Sequence, residues 1–302
     1  MLQGCRTTIL ILVIMLLPLH VQGQQHFAKE IPAGNYSGIC PLGDDLYALV
    51  DDKAQDDGFR VVRLRIDQQQ GRILQAEDLG YRSSGMRNRD MEGICYRPSS
   101  HTVFISGEAD NEVFEYTLEG QRTGKRLNMP AVFKKARPNL GLEALTYDSR
   151  QGLFYVTTER PLSGDTLLRI QAFGDDLQPR RQYLYHPDAP IDRKYYQGVS
   201  ALCAVGDGRL LVLERQVRVP RLKLDARTII RIYEVFPSES TQLEKRLVRE
   251  FTTRLTLTSR KFANYEGMCL ISPQWLLLVA DSQHQFKGVL RDWFLLLPSS
   301  SF

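Results

Sequence analysis

Residues 92–108 read EGICYRPSSHTVFISGE, and this stretch is the clearest local indication of the fold. A glutamate and a glycine open a short apolar run, Pro98 and two serines supply a turn, and a second apolar run ends at Glu108. Two apolar runs joined by a turn rich in proline and small polar residues are typical of a β-hairpin. The stretch therefore predicts a pair of antiparallel strands with a carboxylate at each end.

The same pattern recurs five times along the chain. Each copy has a Glu or Ser, a small residue, an aliphatic residue, a turn, an apolar run and a closing carboxylate. The copies run from Ser37 to Asp51, from Glu92 to Glu108, from Glu143 to Glu159, from Ser200 to Glu214 and from Glu266 to Asp281. They begin 55, 51, 57 and 66 residues apart, whereas each spans 14 to 16 residues from opening to closing residue. A constant length inside units of variable separation indicates an internal structural repeat.

Further strand-like runs follow the hairpins, such as residues 60–66 and 73–79 after the first copy. Four short strands in a unit of roughly 40 to 60 residues are typical of a β-propeller blade. We therefore predict an all-β fold, a propeller of five four-stranded antiparallel blades; a sixth blade within residues 214–266 is the alternative. The last unit lacks one strand, and pairing residues 26–31 with residues 289–297 would complete it and close the ring.

The N-terminus has the pattern of a cleavable signal peptide. Arg6 precedes an apolar run over residues 9–19, and the small Gly23 ends the segment. The alternative is a retained membrane anchor, but eleven apolar residues are too few to span about 30 Å of hydrocarbon. We therefore expect residues 1–23 to be removed and residues 24–302 to form a single propeller domain that is secreted or periplasmic. We expect this domain to have no membrane span and to be a monomer.

The four cysteines that remain are predicted to be free thiols. Four of the five repeats carry cysteine at one equivalent position: Cys40, Cys95, Cys203 and Cys269. A disulfide needs Cα atoms within about 7 Å of one another, and equivalent positions on neighbouring blades are usually farther apart. We expect these cysteines to be small buried apolar residues.

Carboxylates lie at both ends of the motif strands that share one edge of each blade. The opening glutamates are candidate catalytic acid–base groups: Glu92, Glu143 and Glu266. The closing acids of the same hairpins are candidate metal ligands: Glu108, Glu159 and Asp281. If the first strand of each blade lines the axis, these acids surround one tunnel mouth, where they could hold Ca²⁺ through about 6–8 oxygen ligands.

Basic residues precede the motifs or directly follow the closing acids. Those predicted to bind the substrate are Arg89, Lys135, Arg137, Arg160, Arg215 and Lys261. Arg and Lys that converge on one mouth suit an anionic small molecule such as a phosphate ester. The alternative is that the acids and bases pair locally as surface salt bridges. A net charge of +4 without a basic tail gives no indication of nucleic-acid binding.

The sequence lacks the motifs of several classes of hydrolase. There is no Gly-x-Ser-x-Gly motif of an α/β-hydrolase and no Arg-His-Gly motif of a histidine phosphatase. Residues 203–209 match the Cys-x5-Arg pattern of cysteine phosphatases, but that loop must lead into a helix to bind phosphate. Here it forms the turn of a predicted hairpin, so a cysteine phosphatase is not indicated.

The chain resembles the phytase-like family, whose members are described by the esterase-like activity of phytase. The resemblance rests on five segments: Asp90-Met91-Glu92-Gly93-Ile94, Asn139-Leu140-Gly141-Leu142-Glu143-Ala144-Leu145, Asn264-Tyr265-Glu266-Gly267-Met268, Ile105-Ser106-Gly107-Glu108 and Thr157-Thr158-Glu159-Arg160. It covers nearly all of the chain after residue 23, and it implies an exported propeller that acts on phosphate or carboxylic esters. Ser37 and Ser200 depart from the glutamate pattern, which argues against a symmetric five-fold metal site.

Two functions follow from these observations. The first is hydrolysis of phosphate or related esters at the tunnel mouth, where a metal-bound or glutamate-activated water attacks the ester. The alternative is a non-catalytic propeller that binds a ligand or a protein partner on the same face, since propellers host many functions.

Overall fold

The structure, a computed structural model, describes residues 23–221, 224–237, 240–285 and 289–299. These residues form 20 strands and one short 3-10 helix, Ala131–Lys135. Residues 1–22 lie outside the described part of the chain, so the signal peptide stays a prediction. Within the described residues, no helix combines the length and the apolar character that a bilayer crossing requires.

The strands form five four-stranded antiparallel sheets, one for each repeat. Blade one comprises β2 (Tyr36–Gly43), β3 (Leu46–Asp51), β4 (Asp56–Asp67) and β5 (Arg72–Arg87). Blade two comprises β6 (Met91–Arg97), β7 (Thr102–Gly107), β8 (Glu112–Thr117) and β9 (Arg122–Arg126). Blade three comprises β10 (Leu142–Asp148), β11 (Leu153–Thr158), β12 (Leu168–Gly174) and β13 (Pro179–Tyr185). Blade four comprises β14 (Tyr196–Ala204), β15 (Leu210–Arg218), β16 (Arg227–Val235) and β17 (Lys245–Arg254). Blade five comprises β18 (Asn264–Ser272), β19 (Trp275–Asp281), β20 (Trp293–Pro298) and β1 (Gln25–His26).

The first strands of the five blades pack in a closed ring, in the order β2, β6, β10, β14, β18 and back to β2. The prediction of a five-bladed propeller is therefore confirmed. The long spacing over residues 214–266 does not contain a sixth blade in its described part. It is occupied by the long strands β16 and β17 of blade four, whose pairing runs from Arg227 with Arg254 to Val235 with Lys245.

The N-terminal strand closes the ring, as predicted, because β1 pairs with β20 on the outside of blade five. The strand is shorter than predicted: Gln25 lies opposite Phe294 and His26 opposite Trp293, whereas the chain turns at Phe27. The amides of Glu30 and Ile31 both donate to the carbonyl oxygen of Phe27, so residues 27–31 form a turn instead of a strand.

The small residue in each motif lets neighbouring inner strands approach each other closely. A Cβ atom added to Gly38 would lie 2.4 Å from the carbonyl oxygen of Glu92, and one added to Gly93 would lie 2.7 Å from the amide nitrogen of Leu145. Both distances are shorter than real contacts, so a larger side chain would push the strands apart. Glycine is therefore required there for packing around the axis.

The hydrophobic core consists of layers between adjacent blades. Between blades one and two, for example, Val50 and Phe59 pack against Ile94 and Val103. Cysteines lie in four of the five layers: Cys40 between blades one and two, Cys95 between two and three, Cys203 between four and five, and Cys269 between five and one. All four are buried free thiols, which confirms the prediction from the repeat.

We expect four thiols to react in the unfolded mature protein under non-reducing conditions, and essentially none in the native protein. Burial raises the pKa of Cys203 to about 12 and shifts the other three thiols in the same direction, which leaves little reactive thiolate at neutral pH. Titration with a chromogenic thiol reagent, with and without denaturant, measures both numbers. A count of two or zero after unfolding would show that disulfides had formed.

Candidate functional site

A β-bulge places the motif residue of every inner strand. The strand pairing shifts register at residues 36/38, 91/94, 142/144, 199/201 and 265/267, which are the positions that flank the motif Glu or Ser. A bulge redirects the side chain of the extra residue. Here it directs Ser37, Glu92, Glu143, Ser200 and Glu266 to one narrow axial cavity of about 10 Å³. The three motif glutamates thus share one opening, as predicted, although their chemical roles are untested.

Arg215 is a buried base that pairs with three acids at this mouth. It follows the closing acid of blade four on β15, and its side chain is 9 % exposed. One guanidinium nitrogen, Nη2, lies 3.2 Å from Glu143 Oε1 and 3.1 Å from Glu159 Oε1. The other, Nη1, lies 2.5 Å from Glu266 Oε1. Arg215 therefore joins acids from blades three and five to blade four.

Asn264 and Tyr196 extend the contacts of Arg215 and its acids towards the surface. Asn264 accepts from Arg215 Nη1 at 2.9 Å and donates to Glu266 Oε1 at 2.7 Å. Tyr196 donates its hydroxyl to Glu159 Oε2. Burial and the neighbouring Glu159 raise the pKa of Glu143, while Arg215 opposes that rise. The acids Glu143, Glu159 and Glu266 thus share one positive charge, that of the Arg215 guanidinium group.

Glu92 is the motif glutamate that Arg215 does not contact. Its side chain is buried, 7 % of the residue is exposed, and it accepts no hydrogen bond from the described residues. Burial, with added repulsion from Glu143 and Asp52, raises its pKa well above the usual range. An unpaired buried carboxyl is costly unless a proton or a cation neutralises it.

Two further acids lie beside Glu92. One carboxylate oxygen each from Asp52, Asp90 and Glu92 can be chosen so that all three lie within 4.8 Å of one another. Asp52 Oδ1 is buried without a hydrogen-bond partner. The ammonium group of Lys53 lies 2.8 Å from Asp52 Oδ2 and 2.5 Å from Asp90 Oδ1, on a side chain that is 53 % exposed. We call Asp52, Asp90 and Glu92 the acidic triad.

The predicted metal ligands lie around the same mouth but belong to separate contacts. Glu159 is paired with Arg215. Glu108 accepts a hydrogen bond from the amide of Gly141 at 2.9 Å, and Asp281 accepts one from the amide of Gln283 at 2.7 Å. Among the described residues, the cluster with metal-ligand spacing is the acidic triad, which contains none of these three.

The predicted substrate-binding bases do not converge as free cations. Arg89 is 6 % exposed and donates to Asp110, Tyr116 and the carbonyl oxygen of Glu112, so its contacts lie within blade two. Arg160 stacks 4.0 Å from the ring of Tyr196 and donates to the carbonyl oxygen of Gln197. Arg215 pairs with the three acids Glu143, Glu159 and Glu266. The contacts of Arg89, Arg160 and Arg215 therefore favour structural roles for these side chains over the binding of an anionic substrate.

The other predicted bases are exposed. Lys135 ends the 3-10 helix and Arg137 follows it in the loop before blade three. Lys261 lines a separate surface cavity with Gln24 and Phe251. Lys135 and Arg137 thus remain available to an anionic molecule, whereas Lys261 lies away from the axial cavity.

Sequence reasoning missed Asp52, Asp90, Tyr196 and Asn264 as parts of the site. Asp90 and Asn264 each lie two residues before a motif glutamate, and Asp52 directly follows the closing acid of blade one. Asp90 adopts a left-handed backbone with φ of 58°. A polar residue two positions before the motif was a usable signal, because that position lies at the same blade edge.

We expect Asp281→Asn to stabilise the protein by about 2 kcal/mol at neutral pH. Burial raises the pKa of Asp281 from 3.8 to about 6. Between those values the native state binds a proton that the unfolded chain has lost, so wild-type stability falls as pH rises through this window. Asparagine can still accept from the amide of Gln283. Urea denaturation at several pH values from about 4 to 7.5 should show the two proteins equal at the acid end and diverging above it. Parallel curves across the window would contradict the raised pKa.

The fold and the site define a class: a five-bladed propeller with an acidic, arginine-centred mouth at one end of its axis. The sequence model of the phytase-like family, described as "esterase-like activity of phytase", matches residues 31–284, and the chain belongs to this family. No curated protein matches the chain.

Several solved structures are similar to the chain at low sequence identity and with TM-scores below 0.5. An endo-arabinase from Bacteroides thetaiotaomicron is 11% identical with a TM-score of 0.48, over 88% of this chain and 94% of that one. A chain of a nidogen/laminin complex is 11% identical with a TM-score of 0.46, over 90% and 87%. A streptogramin B lyase is 10% identical with a TM-score of 0.42, over 91% and 97%.

Proposed function

We propose that the protein hydrolyses phosphate or related esters at the acidic mouth, with a divalent cation such as Ca²⁺ held by the acidic triad. The observation that carries this proposal is Glu92, a buried carboxyl without a protein partner beside two further acids. Glu143, Glu159 and Glu266 share Arg215, and Lys53 contacts Asp52 and Asp90, so Glu92 is the motif glutamate that lacks a basic partner among the described residues.

The donor set of the triad fits a hard cation. Ca²⁺ and Mg²⁺ prefer carboxylate oxygens, and three carboxylates leave further coordination positions for water and substrate. The orphaned Asp52 Oδ1 and the unpaired Glu92 are the atoms that gain most from a cation. Lys53 contacts the same acids from an exposed side chain, which can move away when a cation binds.

Electrostatics explains why an ester hydrolase here would need the cation. An anionic ester is repelled by a cluster of carboxylates unless positive charge lies between them. A divalent cation held by Asp52, Asp90 and Glu92 would supply that charge and would polarise the ester oxygen. Lys135 and Arg137, both exposed, are suited to orient the remaining anionic oxygens.

Asp281 is the residue best suited to move a proton. Its pKa of about 6 lies close to physiological pH, as a general base requires. As water attacks the ester phosphorus or carbonyl carbon, Asp281 accepts its proton and the leaving alkoxide takes a proton from solvent. Glu143 and Glu266 then hold Arg215 in place, so Glu92 is the motif glutamate nearest to the chemistry.

We further propose that this activity is extracytoplasmic, in line with the predicted signal peptide.

The second candidate function is binding without catalysis. It is favoured by the narrowness of the axial cavity and by the internal contacts of Arg89 and Arg215. In this case the triad would bind a cation that stabilises the mouth or bridges it to a partner. Cation binding without turnover would support this function.

The discriminating experiment is turnover of 4-nitrophenyl phosphate and 4-nitrophenyl acetate with Ca²⁺ and with a chelator. We expect activity in Ca²⁺, loss of it in chelator, and at least a roughly 100-fold fall in kcat for Glu92→Gln. The matched control is Glu119→Gln, because Glu119 is exposed in a turn of blade two and should leave kcat unchanged. Activity that persists in chelator and in Glu92→Gln would overturn the proposal.

A further inference from the structure

An apolar cavity lies next to the acidic mouth, between the edges of blades four and five. Its volume is about 210 Å³. Its apolar lining consists of Val217, Val219, Ala226, Leu255, Phe262, Val289 and Leu290. Phe262, Leu255 and Ala226 are buried, whereas Val219 is 46 % exposed, so one side of the cavity opens to solvent.

The polar end of this cavity belongs to the carboxylate network. Asn264 and Asp281 both line it. Asn264 is also the side chain that accepts from Arg215 and donates to Glu266. Burial and the charge of Asp52 raise the pKa of Asp281, and the charge of Arg215 lowers it. A molecule in the cavity would therefore present one end to the groups that we assign to catalysis.

We propose that this cavity binds the apolar group of the ester substrate, an aryl ring or a branched alkyl chain of similar size. The inference rests on the proposed ester hydrolysis and names the substrate class. A cavity of about 150 Å³ lined by apolar side chains is known to hold benzene. The present cavity is therefore large enough for one substituted ring, with the ester bond at Asp281.

The size of the cavity also predicts which ester substrates the protein prefers. Apolar contacts contribute about 1–3 kcal/mol per methylene, or roughly 10- to 200-fold in kcat/KM. We therefore expect benzyl phosphate to be hydrolysed with at least a tenfold higher kcat/KM than methyl phosphate, because the two leaving alcohols are of similar acidity and differ in the apolar group. Esters of fully polar alcohols, which would leave the cavity lining exposed to water, are expected to be poorer substrates than benzyl phosphate.

The first test measures binding and does not depend on turnover. Benzyl alcohol is titrated into the protein and followed by ligand-observed NMR, with wild type, Ala226→Phe and Ala109→Phe. The Ala226 substitution fills the cavity from its buried wall, whereas Ala109 is exposed on blade two and serves as the control. We expect saturable binding to wild type and to the control, and none to Ala226→Phe. Absence of saturable binding to the wild type overturns the inference, whatever the enzyme assays show.

The second test separates the inference from the proposed function. In Ala226→Phe the ratio of kcat/KM for benzyl over methyl phosphate should fall at least tenfold, with methyl phosphate turnover retained. Leu290→Ala enlarges the cavity at a partly exposed position and should shift the preference from benzyl towards naphthylmethyl phosphate. This second variant covers the case in which Ala226→Phe does not fold. Turnover with an unchanged ratio in both variants overturns the cavity inference alone. Specific benzyl alcohol binding without any ester turnover overturns the proposed hydrolysis and, with it, the assignment of the bound group to an ester.

Discussion

Replacing Arg215 by methionine is expected to destabilise the protein by about 3–5 kcal/mol at neutral pH. The guanidinium group contacts Glu143, Glu159 and Glu266, and all four side chains are buried. Methionine is of similar length but carries no charge, so three buried carboxyls lose their shared counter-ion. Removing one partner of a buried ion pair costs more than the pair contributes, because the other charges remain desolvated.

The destabilisation should depend on pH with a predictable sign. Burial already raises the pKa values of Glu143 and Glu266 above the usual value, and Arg215 opposes that rise, so both values rise further without it. The native variant then holds more of the protons that the unfolded chain releases above about pH 4.3, so its stability falls more steeply with rising pH than that of the wild type. The difference from wild type should therefore be smaller near pH 5 than near pH 7.5, when both are measured by urea denaturation.

A matched control is Arg63→Met. Arg63 pairs with Glu77 on the surface of blade one, and both side chains are about half exposed, at 48% and 47%. Exposed ion pairs contribute about 0–1 kcal/mol, so this variant should stay close to wild type at every pH. If Arg215→Met also stays within about 1 kcal/mol of wild type, Arg215 does not organise the mouth as we infer.

Glu92→Gln is expected to stabilise the protein in chelator and to lose the stabilisation that Ca²⁺ gives the wild type. In chelator the wild-type carboxyl is buried without a partner, which costs about 1–3 kcal/mol, and glutamine removes the ionisation. With Ca²⁺ at 100 times its dissociation constant, the wild type should gain about 2.7 kcal/mol. The wild type therefore gains about 2.7 kcal/mol relative to Glu92→Gln when the cation is added, and the order of stability reverses wherever the deficit in chelator is smaller than this gain.

Thermal unfolding in chelator and across a Ca²⁺ series measures this gain. Glu119→Gln serves again as the exposed control and should follow the wild type in both conditions. A Ca²⁺-dependent gain of equal size in wild type and Glu92→Gln would place the cation elsewhere. No gain in either protein would remove the cation from the proposed function.

The repeat in the sequence predicted the propeller and favoured five blades, with six as the alternative. The evidence is local: a hairpin with a 14- to 16-residue motif recurs at intervals of 51 to 66 residues, and each copy specifies its own sheet through alternation and turns. The strand missing from the last unit indicated that β1 closes the ring. The equivalence of Cys40, Cys95, Cys203 and Cys269 indicated free thiols, because a repeat separates its equivalent positions in space.

Which charges of the mouth neutralise one another depends on how the blades pack. A repeat predicts that equivalent residues share an edge, but one long side chain that pairs with both neighbouring blades breaks the symmetry. Arg215 of blade four pairs with acids of blades three and five, whereas Glu92 of blade two lies beside another acid, Asp52 of blade one. These residues are up to 214 positions apart in the chain (Asp52 to Glu266) and share no local pattern. Coulomb interactions depend on distance in space and on burial, neither of which is encoded in the spacing of a motif.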